Sequence, residues 1–252
     1  MTLNIALEYD PATVDQTLSE TDTMMSEHYI AVGVSAIQCV NMALQAAGSP
    51  VVNRILDIPC GHGRVLRHLK ARFPEATIDA CDLDADGVAF CARQFGVNPI
   101  LSTPELTDAD LPGDYDLIWV GSLLTHVSRP TFQRWMAYLT SRLSPTGVAV
   151  FSMHGRYSAV LNETFPYIAR DIWDDVIQPQ FDTTGYGYAD YVQGDVGLHG
   201  VIEADYGISL AKPEIIIADA AAVPDSRIVL YSERGWIGHH DVIALARPGY
   251  GV

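Results

Sequence analysis

Positive charge is scarce in this chain: 15 Lys and Arg stand against 31 Asp and Glu, a formal net charge of −16. Surfaces for nucleic acid or anionic lipid need clustered cations to displace counterions, so neither partner is expected. Cysteine is scarce too. Cys39, Cys60, Cys81 and Cys91 form no C-x-x-C pair, which argues against a zinc ribbon or thioredoxin motif. It leaves buried reduced thiols in a cytoplasmic protein as the expectation. The segment MTLNIALEYDPATVDQ lacks a basic stretch and a continuous apolar run, so no leader is expected. The most apolar window, residues 31–48, is interrupted by Ser35, Gln38 and Asn41 and reads as a packed helix rather than a membrane span. Repeats, low-complexity tracts and a linker are also missing.

What is present is 252 residues at 48% hydrophobic content, enough for one sizeable core. Residues 11–48 read as helical, ended by Gly48 and Pro50. Strand-like and helix-like pieces then alternate: strands at 54–58, 77–83, 98–102, 115–122 and 148–153, and helices at 63–73 and 85–96. A further helix starts at Ser128 and Pro130 and carries a core stripe of Phe132, Trp135, Met136, Leu139 and Leu143. SPTG, residues 144–147, reads as a turn. Such alternation with near-continuous apolar strands predicts a parallel sheet with helices on both faces. The rhythm breaks over 154–207, rich in Tyr, Asp and Gly, where a lid or cap is expected. It resumes at 212–223, and strands at 227–233 and 241–247 are expected to pair antiparallel at one end of the sheet. The expected organisation is a single domain over 1–252: a helical region to residue 50, a ligand-binding core over 51–153, a cap over 154–207 and closing strands over 208–252.

The loop after the first strand, in RILDIPCGHGRVLRHL (54–69), is placed where open α/β sheets bind ligands. A dinucleotide fingerprint wants a third small residue, and here Leu66 occupies that position. No GxxxxGK[ST] phosphate cradle is present either. Asp57, just before the loop, is an awkward neighbour for a pyrophosphate and a tolerable one for a cationic ligand. Its plainer reading is a carboxylate that hydrogen-bonds loop amides.

LDIPCGHGR resembles motif I of the class I S-adenosylmethionine-dependent methyltransferases, in which an acidic residue precedes a G-x-G loop. Asp82, 25 positions after Asp57, stands where that family places a carboxylate for the ribose hydroxyls. YDLIWVGSLLTHV (115–127) is similar to the fourth-strand motif, LSPTGVAVFSM (143–153) to the fifth, and 227–247 more loosely to the closing antiparallel pair. The resemblance implies a Rossmann-like, doubly wound, mostly parallel seven-stranded α/β sheet with an antiparallel C-terminal strand and an inserted cap. It also implies S-adenosyl-L-methionine as cofactor and methyl transfer to O, N or C of a small-molecule acceptor. The cofactor-binding residues it implies are Asp57, Cys60, Gly61, Gly63, Asp82, Leu83, Ser102 and Ser122, with His126 as general base. Pro59 stands where glycine is common, Ser102 or Thr103 where an aspartate often faces adenine, and His62 is unusual within the loop. Asp84 is expected to cap the next helix.

Two rival readings remain: an NAD-dependent oxidoreductase, disfavoured by Leu66, and a non-catalytic binding module on the same fold. His126 has a purely structural alternative, fixing its loop, and His154 is a weaker base candidate. His239, His240 and Asp241, even with His199, have unconvincing ligand spacing, so no metal is expected. Tyr186, Tyr188, Tyr191 and Tyr206 are candidates for lining the acceptor pocket or for surface positions. A homodimer is left open.

Overall fold

Apolar strands buried on both faces need cover on both, and the chain supplies it. The computed structural model describes residues 8–192 and 205–248. Its main sheet has seven strands: β1 (Arg54–Ile58), β2 (Thr77–Asp82), β3 (Asn98–Leu101), β4 (Tyr115–Val120), β5 (Leu143–Met153), β8 (Arg227–Trp236) and β9 (His240–Ala246). Their order is β3-β2-β1-β4-β5-β9-β8. The first five run parallel, and β9 alone is antiparallel to its neighbours β5 and β8. Strand alternation divides the core. Ile55, Leu117, Trp119, Val148 and Val150 face one side, under Ala36, Ile37 and Val40 of α1 (Tyr29–Ala46) and under α2 (Leu66–Arg72) and α3 (Ala85–Phe95). Leu56, Ile118, Val120, Ala149 and Phe151 face the other, under Phe132, Met136 and Leu139 of α4 (Arg129–Ser141) and Ile216 and Ala220 of α8 (Pro213–Ala221).

The helical expectation for residues 11–48 is too broad. Apart from one 3₁₀ turn, Pro11–Thr13, helix is confined to α1. Between them, side chains compete for the backbone: Asp15 accepts from the Thr17 amide, Ser19 from Thr21 and Asp22 from Met24. These local turns offer the chain an alternative to helix. α1 is long and apolar enough to cross a membrane by length and composition alone, but its apolar side packs on β5, β8 and α2. The SPTG turn is likewise absorbed into β5. Tyr115 pairs with Leu143 and Leu117 with Val148, so residues 144–147 bulge within the strand.

The region after β5 has structure of its own. It holds α5 (Arg156–Asn162), then α6 (Arg170–Ile172), which runs through a π-helical segment Trp173–Ile177 into α7 (Gln178–Thr184). A two-stranded antiparallel sheet follows, β6 (Tyr186–Asp190) with β7 (Gly207–Ala211). Trp173, Ile177, Phe181, Ile208 and Leu210 give it a small separate core.

Candidate active site

The glycine loop is fixed by backbone bonds and by the absence of side chains. Pro59 follows a cis peptide bond. The Cys60 amide donates to the Cys81 carbonyl at 2.9 Å, tying the loop to β2. Gly61 and Gly63 adopt φ of +47° and +78°. At Gly63 a Cβ would also lie 2.5 Å from the Phe95 ring, so both conformation and space demand glycine. The Gly61 amide donates to Asp82 Oδ2 at 2.7 Å, and the Asp84 amide donates to Asp82 Oδ1 at 3.0 Å. Burial pushes the Asp82 carboxyl up and these amides pull it back, leaving it raised. Asp84 caps α3 by accepting from the Asp86 amide.

Asp57 does not bond the loop amides. It is 1% exposed, and neither carboxylate oxygen has a hydrogen-bond partner among the described residues. Burial, with Asp82 adding like charge, holds its carboxyl well above the ordinary range. A buried carboxylate without a donor is costly and points to a missing partner. The Cys60 thiol is buried beside Cys91, whose hydrogen bond pushes its pKa up. Leu83, at the end of β2, is 53% exposed. The Ser102 amide donates to the Asp82 carbonyl at 2.8 Å. Ser122, two residues beyond β4, adopts φ +62°, and its amide donates to Ser152 Oγ. The fold therefore gathers Asp57, Cys60, Gly61, Gly63, Asp82, Leu83 and Ser102 around one loop. Ser122 stands just beyond β4, the strand paired with β1 on its other side.

Three contributors escape a linear reading. Gly87 of α3 lets the loop approach, because a Cβ there would lie 2.6 Å from the Gly61 carbonyl oxygen. Arg67, 2% exposed, donates to the carbonyls of Gly63, Asp15 and Thr17. His62 Nε2 meets Thr21 Oγ1 at 3.1 Å and Asp86 Oδ2 at 3.2 Å. Loop residue and buried arginine together fasten segment 15–22 across the glycine loop. Arg64, also loop-borne, has its guanidinium pKa lowered by burial. The only signal in the sequence was the oddity of His62 and two arginines beside the loop.

On the far side of Ser122 the histidines converge. His126 closes a short 3₁₀ turn, Leu124–His126, and its Nδ1 lies 2.9 Å from the Gly207 carbonyl. His154 Nδ1 lies 3.2 Å from the Ser209 carbonyl. A carbonyl only accepts, so in both rings Nδ1 carries the proton and Nε2 is the lone-pair nitrogen. Strand β7 thus sets two tautomers through alternate residues. His126 is flanked by Tyr191 and Tyr206, with ring centroids at 5.9 and 5.0 Å. Burial raises the Tyr206 hydroxyl, and the charge of Asp82 adds to it. Tyr186 is instead core: it is buried, packs on Phe132 and donates to the Val127 carbonyl. Tyr188 bonds Asp190. The unpromising spacing of His239 and His240 is overtaken by the fold, which brings His154 beside them. One ligand atom from each of the three lies within 4.8 Å of the others. Asp241 turns away, accepting from the Tyr231 hydroxyl. His199 lies outside the described residues.

Residues 56–149 match the family model described as a methyltransferase domain. A malonyl-[acyl-carrier protein] O-methyltransferase of Halalkalibacterium halodurans is 33% identical over 107 residues, 40% of this chain and 39% of that protein. A ribosomal RNA small subunit methyltransferase C of Chromohalobacter salexigens is 33% identical over 135 residues, 52% of this chain and 38% of that protein. The matches thus span about two fifths of these relatives. The fold is like that of an S-adenosylmethionine-dependent methyltransferase from Clostridium acetobutylicum, with TM-score 0.56 and 13% identity over 84% of this chain and 90% of that one.

Proposed function

We propose, on the premise that residues 56–149 are a methyltransferase domain of the class I S-adenosylmethionine-dependent family, that this chain transfers a methyl group from S-adenosylmethionine to a small-molecule acceptor. The observation that carries the reading is Asp57: a buried carboxylate with no donor among the described residues, beside a loop in which Gly61 faces open space. A cationic ligand suits it, and a pyrophosphate would meet repulsion. The residues that would hold the cofactor are Asp57 and the backbone of Cys60–Gly63 for its charged amino-acid half, and Asp82 for the ribose. Leu83, half exposed, would pack on the adenine, with Ser102 beside it and Ser122 towards the methionine end.

The bound cofactor supplies an already activated methyl group. The protein's own share is to orient the acceptor, exclude water and take a proton. His126 is the proton acceptor of choice: Gly207 fixes its tautomer with Nε2 as the basic atom, and Tyr191 and Tyr206 brace the ring. The segment over 15–22 and the strand pair β6–β7 would limit solvent on either side of the acceptor. A net charge of −16 favours a small molecule over a nucleic-acid acceptor, and the four free, buried cysteines suit a cytoplasmic setting.

Thermal melting tests the cofactor class directly. A ligand at about 100 times its Kd stabilises by about 2.7 kcal/mol. S-adenosylhomocysteine is expected to raise the melting temperature and NAD⁺ to leave it unchanged; the reverse pattern would sink the proposal.

A further inference from the structure

His154, His239 and His240 come from two places in the chain, just past the end of β5 and the β8–β9 turn with the first residue of β9, and form one cluster. Ring centroids are 5.5 Å apart for His154 and His239, 4.9 Å for His154 and His240, and 4.5 Å for His239 and His240. Each ring has one nitrogen occupied by an outer partner. His154 Nδ1 donates to the Ser209 carbonyl, His240 Nδ1 meets Ser152 Oγ at 3.3 Å, and His239 Nε2 meets the Tyr167 hydroxyl at 2.5 Å. One ring nitrogen from each histidine lies within 4.8 Å of the others. We propose that these three histidines form a binding site for one first-row divalent transition metal ion, with Zn²⁺ as the reference case.

Two features support the assignment. Metal-bound imidazoles usually engage their second nitrogen with a carbonyl or hydroxyl, and all three rings here do so. No carboxylate belongs to the cluster among the described residues, and an all-nitrogen donor set selects zinc, copper, nickel or cobalt over magnesium or calcium. Zn–N bonds of about 2.1 Å put nitrogens roughly 3.4 Å apart around a tetrahedral ion, so modest ring rotations complete the geometry. Three protein ligands leave a position open, the arrangement of reactive rather than purely structural zinc sites. Through Ser152, whose hydroxyl contacts His240 and accepts the Ser122 amide, the site lies two hydrogen bonds from the end of β4. The inference stands on the histidines alone and does not depend on the methyl-transfer reading.

The test is metal titration of the full chain. Stripped protein is titrated with Zn²⁺ by calorimetry and with Co²⁺ by visible absorption, beside His239→Ala, Tyr167→Phe and His28→Ala. The expected result is one ion per chain and a Co²⁺ d–d spectrum typical of nitrogen ligands. His239→Ala is expected to abolish both signals, and His28→Ala, at an exposed histidine, to keep them. Tyr167→Phe, which removes an outer partner, is expected to weaken binding by about tenfold or more. Cooperative melting of each variant confirms folding, and if His239→Ala does not fold, Tyr167→Phe decides. Wild-type protein that stays folded and binds no ion, or binding that survives these substitutions unchanged, would overturn the site.

Discussion

At the scale of single residues, Asp57 makes the sharpest demand. Its folded-state pKa is raised, so its contribution to stability is present below the ordinary carboxylate range and lost as pH rises through the raised value. Once ionised, Asp57 is an unfavourable buried carboxylate in the free chain. Asp57→Asn is expected to raise the melting temperature of the free protein while weakening S-adenosylhomocysteine by about 10–100-fold, the loss of a charge-assisted hydrogen bond. Opposite signs in melting and in binding distinguish a ligand-facing carboxylate from a merely structural one. Gly63→Ala should lower both, because φ is +78° and Phe95 already occupies the space; strain of about 1–3 kcal/mol is expected in chemical denaturation. For His126→Asn the expectation is unchanged cofactor affinity with turnover reduced by about 10²–10⁴-fold.

At the scale of elements, the segment over 15–22 has little regular structure and is held by side chains that lie far away in sequence. Arg67 donates to two of its carbonyls, and His62 and Asp86 meet Thr21. Thr21→Val is expected to leave the cooperative melt nearly unchanged but to speed hydrogen exchange in this segment, as a locally low-stability unit should. Much of the sheet was legible from hydrophobic rhythm, down to the end of β1 at Ile58 and the left-handed stop of α3 at Gly96. Two misreadings share a physical cause. Residues 14–28 carry helical spacing, but Asp15, Ser19 and Asp22 bond their own backbone instead. SPTG has turn composition, but Ser144 donates to Asp116 and the segment stays in β5 as a bulge. Local patterns record propensity, and partners brought in by the fold override them.

At the scale of the whole molecule, the strand order β3-β2-β1-β4-β5 brings the ends of β1, β2 and β4 together, and with them Asp57, Asp82 and Ser122. The glycine loop and its carboxylates were therefore readable in advance, since each follows a strand in the linear sequence. The histidine cluster was not. His154 and His239 are far apart in the chain, and nothing in their spacing announces the antiparallel pairing of β5 with β9 that joins Met153 to Asp241. Nor could the sequence place β7, whose Gly207 and Ser209 carbonyls fix the tautomers of His126 and His154. Tyr186 and Tyr206, both pocket candidates by composition, part ways: one enters the core behind α4 and the other stands beside His126.

The central claim is that the loop and Asp57 cradle a cationic cofactor, and calorimetric titration with S-adenosylhomocysteine tests it most directly. One molecule is expected to bind per chain, with affinity rising as pH rises and Asp57, its carboxyl held above the ordinary range by burial, ionises, and with a flatter profile in Asp57→Asn. Folded protein that gives no binding signal at millimolar ligand would contradict it.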